Sequence, residues 1–381
     1  MEPELGFHHC EHNVLLDADL DLGSASLVHF DWAHNFFIGG VFVVEADALM
    51  ELLKKRRQGV PVVREYLQHF CWPKGYAAAD KIADTGRLNG TMSEYMSFVP
   101  VLREYLIRQV GPDTEWQPAV TSMLSLCDLV NLLQRTSVPG AVSPARLRAA
   151  IVEHSQMQQR AYGVSLWLPK SHYNQHLDEQ LEANKLIVGD GQQFLLNTLV
   201  NERKHKEVKM IAKEHESKVS YERGVMEEVT ARHLYNLGTR DDFGSVDLRL
   251  ESTTSPSPKV LDVIRSDFGA DITSVDVHVA RSAYVKNRLI VSGDVCLYGD
   301  DDRASVCQVW LHATIRGTEW SCVVPWQFHE RNHALAARYI VGDTPGWIRT
   351  AELLIAVIYS RATAGQASHL LLPPHVSQRL L

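Results

Sequence analysis

The chain is short of the features that most readily announce a function. Its six cysteines, Cys10, Cys71, Cys127, Cys296, Cys307 and Cys322, contain no C-x-x-C pair. That excludes the common zinc-finger spacing, and a chain of 381 residues is too long for a small secreted disulfide framework. Reduced thiols are the expectation. No apolar run reaches the ~18 residues of a membrane span, and the N-terminus lacks the basic and apolar stretches of a secretory signal. The protein is therefore expected to be neither secreted nor held in a membrane. Cationic charge is also scarce: 38 Lys and Arg against 46 Asp and Glu leave a formal net charge of -8. Such a balance excludes a whole-molecule electrostatic grip on nucleic acid, so any DNA contact has to be local. There is no Gly-rich phosphate loop, G-x-S-x-G elbow, paired Cys/His nucleophile signature or internal repeat.

What is present is an ordinary globular composition, 45% hydrophobic and 22% charged, in a chain long enough for two domains. Residues 1–25 are polar. Residues 26–238 are dominated by helical spacing after a short strand-like run, Leu27–Phe30. Expected helices run over Val41–Arg57, from Pro61 through Phe70, from a Ser93 cap to Val110, over Ala119–Arg135, from a Ser143-Pro144 start to about Ala161, over Ser171–Leu186 and over Gln192–Glu216. Residues 239–258, ending in Ser-Pro-Ser-Pro, read as a linker. Residues 259–381 carry short β-patterned runs at Ile272–Ala280, Arg288–Tyr298, Ser305–Ile315 and Trp320–Trp326, and a short helix is expected near Thr350–Ser360. The expected fold class is α+β: a mainly helical N-terminal half followed by a small antiparallel, barrel-like β domain.

Three words of sequence carry chemistry. Asp31-Trp32-Ala33-His34 follows the apolar run 26–30. Pro169-Lys170-Ser171-His172-Tyr173-Asn174-Gln175-His176 lies far downstream, and Asn201-Glu202-Arg203-Lys204-His205-Lys206 follows it. In this order and spacing they resemble the catalytic core of cut-and-paste transposases of the CACTA/EnSpm type, in a divergent form such as protist genomes carry. The resemblance covers residues ~26–215. It implies an RNase H-like sheet with a helical insertion, Asp31 and Glu202 as catalytic carboxylates and metal ligands, and His34, His172 and His176 in support.

In that family carboxylates hold Mg²⁺ or Mn²⁺, hard ions that take oxygen ligands and cut DNA by in-line displacement. The resemblance also implies transposon-end DNA as partner and a nuclear location; without it, a cytoplasmic one. The family's first carboxylate lies on an opening strand, and residues 1–30 do not read as that strand. Asp17, Asp19 and Asp21 have the right order without the context. The expectation is a core that converges Asp31 on Glu202 but lacks its third carboxylate and is incompetent as this chain stands.

Each candidate also has a plain reading. Asp31 can be the N-cap of a helix with His34 in its first turn. Glu202 with Lys206 and Lys209 can be a surface ion-pair face. His172 and His176, at i and i+4, can share a metal or simply pack. Arg203, Lys204, Lys206 and Lys209 form the best local candidate for phosphate contact, or a solvated helix face. His8, His9, Cys10 and His12 are a weak metal cluster. In the β domain Tyr298, Trp310, Trp320 and Trp326 can line a peptide groove or fill a core. The alternative function is therefore a non-enzymatic module whose β domain binds a protein or peptide.

Overall fold

The computed structural model describes residues 30–74, 76–111, 115–136, 140–188, 195, 208–213, 221–239, 248–286, 288–299, 304–333 and 336–371. The chain is α+β and divides into two compact units. One comprises residues 1–67 and 79–200; the other comprises 68–78 and 201–381.

The first unit is helical: α1 (Trp32–Phe37), α2 (Val41–Lys54), α3 (Val60–Leu67), α4 (Met92–Tyr105), α5 (Gln117–Arg135), α6 (Pro144–Tyr162), α7 (Pro169–Asn174) and α8 (Leu177–Val188). Local chemistry sets the ends. Thr91 and Glu94 form a reciprocal capping box that starts α4 two residues ahead of the expected Ser93 cap. Ser143 accepts from the Arg146 N–H and Pro144 takes the first position of α6, as its sequence implies. Gly40 separates α1 from α2 where the backbone packs back on itself: a Cβ there would lie 2.0 Å from the Asn35 carbonyl oxygen. Trp32, Phe36, Phe37, Phe42, Phe98 and Tyr105 are fully buried and anchor the core.

Two expectations change in this unit. Residues 171–186 are not one helix, because the chain turns at Gln175–His176 between α7 and α8. Among its described residues the unit contains no strand. The RNase H-like sheet is not seen among these residues, and residues 27–29 of the expected strand lie outside the described ones; the Asp31 carboxylate accepts from the Ala33 N–H at the start of α1.

The second unit holds residues 208–213 (α9), α10 (Tyr221–Thr239), α11 (Pro258–Phe268) and an antiparallel β structure. Its strands are β1 (Phe70–Cys71), β2 (Leu248–Glu251), β3 (Val277–Ala280), β4 (Ser282–Val285), β5 (Arg288–Val291), β6 (Val295–Tyr298), β7 (Ser305–Ile315), β8 (Thr318–His333), β9 (Ala336–Ile340), β10 (Gly346–Arg349), β11 (Leu353–Ala356), β12 (Ile358–Ser360) and β13 (Ala367–Leu371). The main path runs β1-β12-β13-β9-β8-β7-β6-β11, with β3 on β7 and β10 on β8, and β2-β4-β5 form a separate sheet.

The long β7–β8 hairpin turns at Arg316-Gly317, whose φ values of 50° and 74° fit the twist of a tight hairpin. The path does not close into the expected barrel: β11 and β12 follow one another in the chain across Val357 and pair outward, with β6 and β13 respectively. They also replace the helix expected near Thr350–Ser360. Leu353, Ile355, Ala356, Val357 and Ile358 are all buried along β11 and β12, and only Thr350–Glu352 makes a helical turn. Leu248–Glu251, within the stretch read as linker, forms β2. The interior gathers Val295, Leu297, Val306, Ile355, Val357 and Leu370, and the amphipathic α11 covers a neighbouring cluster with Leu261 and Ile264.

Candidate functional site

Asp31 and His34 are first an N-terminal cap. Asp31 is extended, its Oδ1 accepts from the Ala33 N–H at 3.0 Å, and its Oδ2 bonds the His34 Nδ1. Both oxygens are thus engaged within the first turn of α1.

The helix carrying the second word packs beside this turn. The Phe30 ring stacks on Tyr173 with centroids 5.0 Å apart and on His176 at 5.9 Å. The Phe30 N–H donates to Gln180 Oε1 at 2.9 Å. Lys170 Nζ donates to the Ile38 carbonyl, 132 residues away in sequence, and burial lowers its pKa. His172 and His176 meet edge to face, with centroids 5.0 Å apart. His176 lies in the turn after α7 and its Nδ1 is 3.0 Å from Glu179 Oε2, so the pair is occupied in packing and hydrogen bonding.

Glu202, Arg203, Lys204 and Lys206 lie outside the described residues, as do residues 8–21. Lys209 is exposed on α9. Among the described residues no group of three or more His, Cys, Asp or Glu side chains could hold a metal. Asp31 with His34 gives one carboxylate and one imidazole already bonded to each other, which does not fit a Mg²⁺ or Mn²⁺ site of oxygen ligands. In the β unit Trp326 is buried, Trp320 packs against Phe268 beneath the Arg349 guanidinium at 4.1 Å, and Tyr298 is half-buried. Of the four aromatics Trp310 alone stands well out, 50% exposed.

A polar cluster buried inside the helical unit escaped the sequence reading. Glu45 on α2 is 0% exposed; Ser122 Oγ on α5 donates to its Oε1 at 2.7 Å, and Gln158 Nε2 on α6 donates to its Oε2 at 2.9 Å. His154, also on α6, brings Nε2 to 3.4 Å from Glu45 Oε2, and its Nδ1 lies 3.2 Å from Ser125 Oγ.

The hydrogens can be assigned from this network. Ser125 gives its own proton to the Ser122 carbonyl at 3.0 Å, so its oxygen accepts from His154 Nδ1–H. Nε2 is then a bare acceptor facing Glu45. Burial raises Glu45 to about 7 against the pull of the Ser122 and Gln158 bonds, and burial pushes His154 down to about 4. A protonated Glu45 opposite a neutral His154 is the state this geometry fits. The Tyr162 hydroxyl is buried without a hydrogen bond, and burial raises its pKa.

A signal for this cluster existed. Leu147, Ile151, His154 and Gln158 continue one helical stripe, and Glu45 falls between Val41 and Leu49 at i+4 spacing. No protein-family model matches the chain, nor does any curated protein or solved structure.

Proposed function

We propose that this chain is a transposon-derived protein, related to cut-and-paste DNA transposases of the CACTA/EnSpm type, in which the RNase H-like core persists as a remnant and does not cleave DNA by itself. One observation carries the reading. The D-x-x-H turn and the P-K-x-H helix, separated by more than a hundred residues, lie in contact through Phe30, Tyr173, His176 and Lys170.

The engagement of Asp31 supports the lack of activity. Its two oxygens serve the Ala33 N–H and His34, so the residue acts as a cap and holds the turn against α7. Mg²⁺ or Mn²⁺, where a relative binds it, activates the attacking oxygen of strand cleavage. Here the chain's own residues orient the turn and fix His34.

Calorimetric titration of Mn²⁺ into the full chain, alongside Asp31→Ala and Glu202→Ala, tests the proposal. The expected result is no saturable heat in any of the three. A wild-type site that vanishes in both variants would overturn it and establish a working ion centre.

A further inference from the structure

A cleft of about 800 Å³ opens in the second unit where β2, β3, β4, β5 and β7 come together. That volume lies within the range of about 300–1,000 Å³ usual for small-ligand pockets. Val279, Leu289 and Val291 give it apolar lining, and Trp310 forms part of its wall. Trp310 stands at a bulge: the β7–β8 register shifts between Val309 and Leu311, so the ladder skips Trp310. Ser292 Oγ donates to the Trp310 carbonyl and the Gly293 N–H donates to the Val309 carbonyl at 2.7 Å, which fixes the bulge.

The charge in the cleft is cationic, although the chain is acidic overall. Lys74 and Arg281 line it, and neither is in an ion pair among the described residues. Glu251, the acid of the lining, is drawn to Arg249 at 3.5 Å. Asp294 accepts from the Val291 N–H at 2.8 Å and from the Lys74 backbone, and its carboxyl is pushed upward by burial. Burial thus works against the Asp294 charge that acts on Lys74, and no acid is paired with Arg281 among the described residues.

We infer that this cleft binds a small organic anion, with a flat apolar body against Trp310 and a carboxylate or similar oxyanion met by Lys74 and Arg281. The same chemistry comes from a free aromatic acid or from an aromatic residue at the C-terminus of a peptide. The inference concerns the second unit alone and stands or falls independently of the transposon-derived reading.

Titration of the full chain with 3-phenylpropionate, Gly-Gly-Phe and Gly-Gly-Phe amide, followed by saturation-transfer NMR, tests it. Saturable binding of 3-phenylpropionate with a Kd of about 1 mM or tighter is expected for a ligand of this size. Trp310→Ala and Arg281→Glu each weaken it by about tenfold or more, with the melting temperature kept; if either melts lower, Lys74→Glu reads the same loss. Stronger binding of Gly-Gly-Phe supports a peptide terminus as the source, and binding of 3-phenylpropionate alone supports a free acid. Equal binding of the amide and the acid overturns the anion requirement. No saturable binding of either acid, or binding unchanged in these variants, overturns the site.

Discussion

Glu45 and His154 face each other across 3.4 Å inside the helical unit, on different helices and both out of water. Each is displaced from its ordinary pKa by the same burial and in opposite directions, so their contributions to stability run against each other. The raised Glu45 contributes stability that is fully present below about 4.5 and is lost as pH rises through about 7. The lowered His154 contributes stability present above about 6.5 and lost as pH falls through about 4. Between the two ordinary values the slopes oppose, and the pair is close to indifferent to pH.

Single substitutions should therefore unmask a pH dependence that the wild type hides. Glu45→Gln is expected to leave stability rising from about pH 4 to 6.5, and His154→Gln to leave it falling from about pH 4.5 to 7. Each slope amounts to a few kcal/mol, on the order of ~3, across its window. Urea denaturation of the three proteins at several pH values checks this. Parallel pH profiles would show that the two groups do not titrate as a buried pair.

Removing the cap of α1 should cost about 1 kcal/mol in Asp31→Ala, with Asp31→Asn much closer to wild type because an amide oxygen can still accept from the Ala33 N–H. Thermal unfolding without added metal reads the difference. A carboxylate whose main business was ion binding would show no such loss in a metal-free buffer.

The contact between the two sequence words should appear as coupling. Phe30→Ala, Tyr173→Ala and the double variant form a cycle around one stacked pair. An interaction energy of about 0.5–1.5 kcal/mol is expected from their unfolding midpoints. Strict additivity would mean the rings are neighbours without consequence.

Gly40→Ala should be among the most damaging small substitutions in the chain. The added methyl would overlap the Asn35 carbonyl that the turn between α1 and α2 brings against it, and the atoms of Asn35 and Phe36 it would meet are backbone atoms that cannot swing aside. A loss of about 3 kcal/mol or more, or failure to obtain soluble protein, is expected. Comparison with Gly346→Ala, where a Cβ meets nothing within 4 Å, gives the control.

Much of the backbone was legible because its signals are local. Ser143 and Pro144 announce α6, and the alternation of 305–315 delimits β7 at both ends. Residues 350–360 misled for an instructive reason: Ala351, Leu354, Ile355 and Ile358 satisfy a helical period, yet Leu353–Ile358 is a continuous apolar run that a strand buried on both faces satisfies as well. Pairing with β6 and β13, invisible in the segment itself, decided between them. Within the alternating run of β7 the sequence put Trp310 and His312 on one face. Trp310 is exposed as that alternation implies, but beyond the bulge His312 is buried against Ser321, and no single residue type foretells a bulge. The Glu45 cluster shows in the sequence only as polar residues on apolar helical stripes; that Glu45 meets Ser122, His154 and Gln158 depends on the packing of helices far apart in the chain.

β1 lies between α3 and α4 in sequence, yet it pairs with β12 near the other end of the chain, Phe70 with Ser360 and Cys71 with Tyr359. The polypeptide thus visits the second unit, returns, and leaves again, so no single cut separates the two. A fragment beginning after residue 200 would keep β12 and abandon the strand on its flank, exposing the unpaired ladder that invites association with other copies.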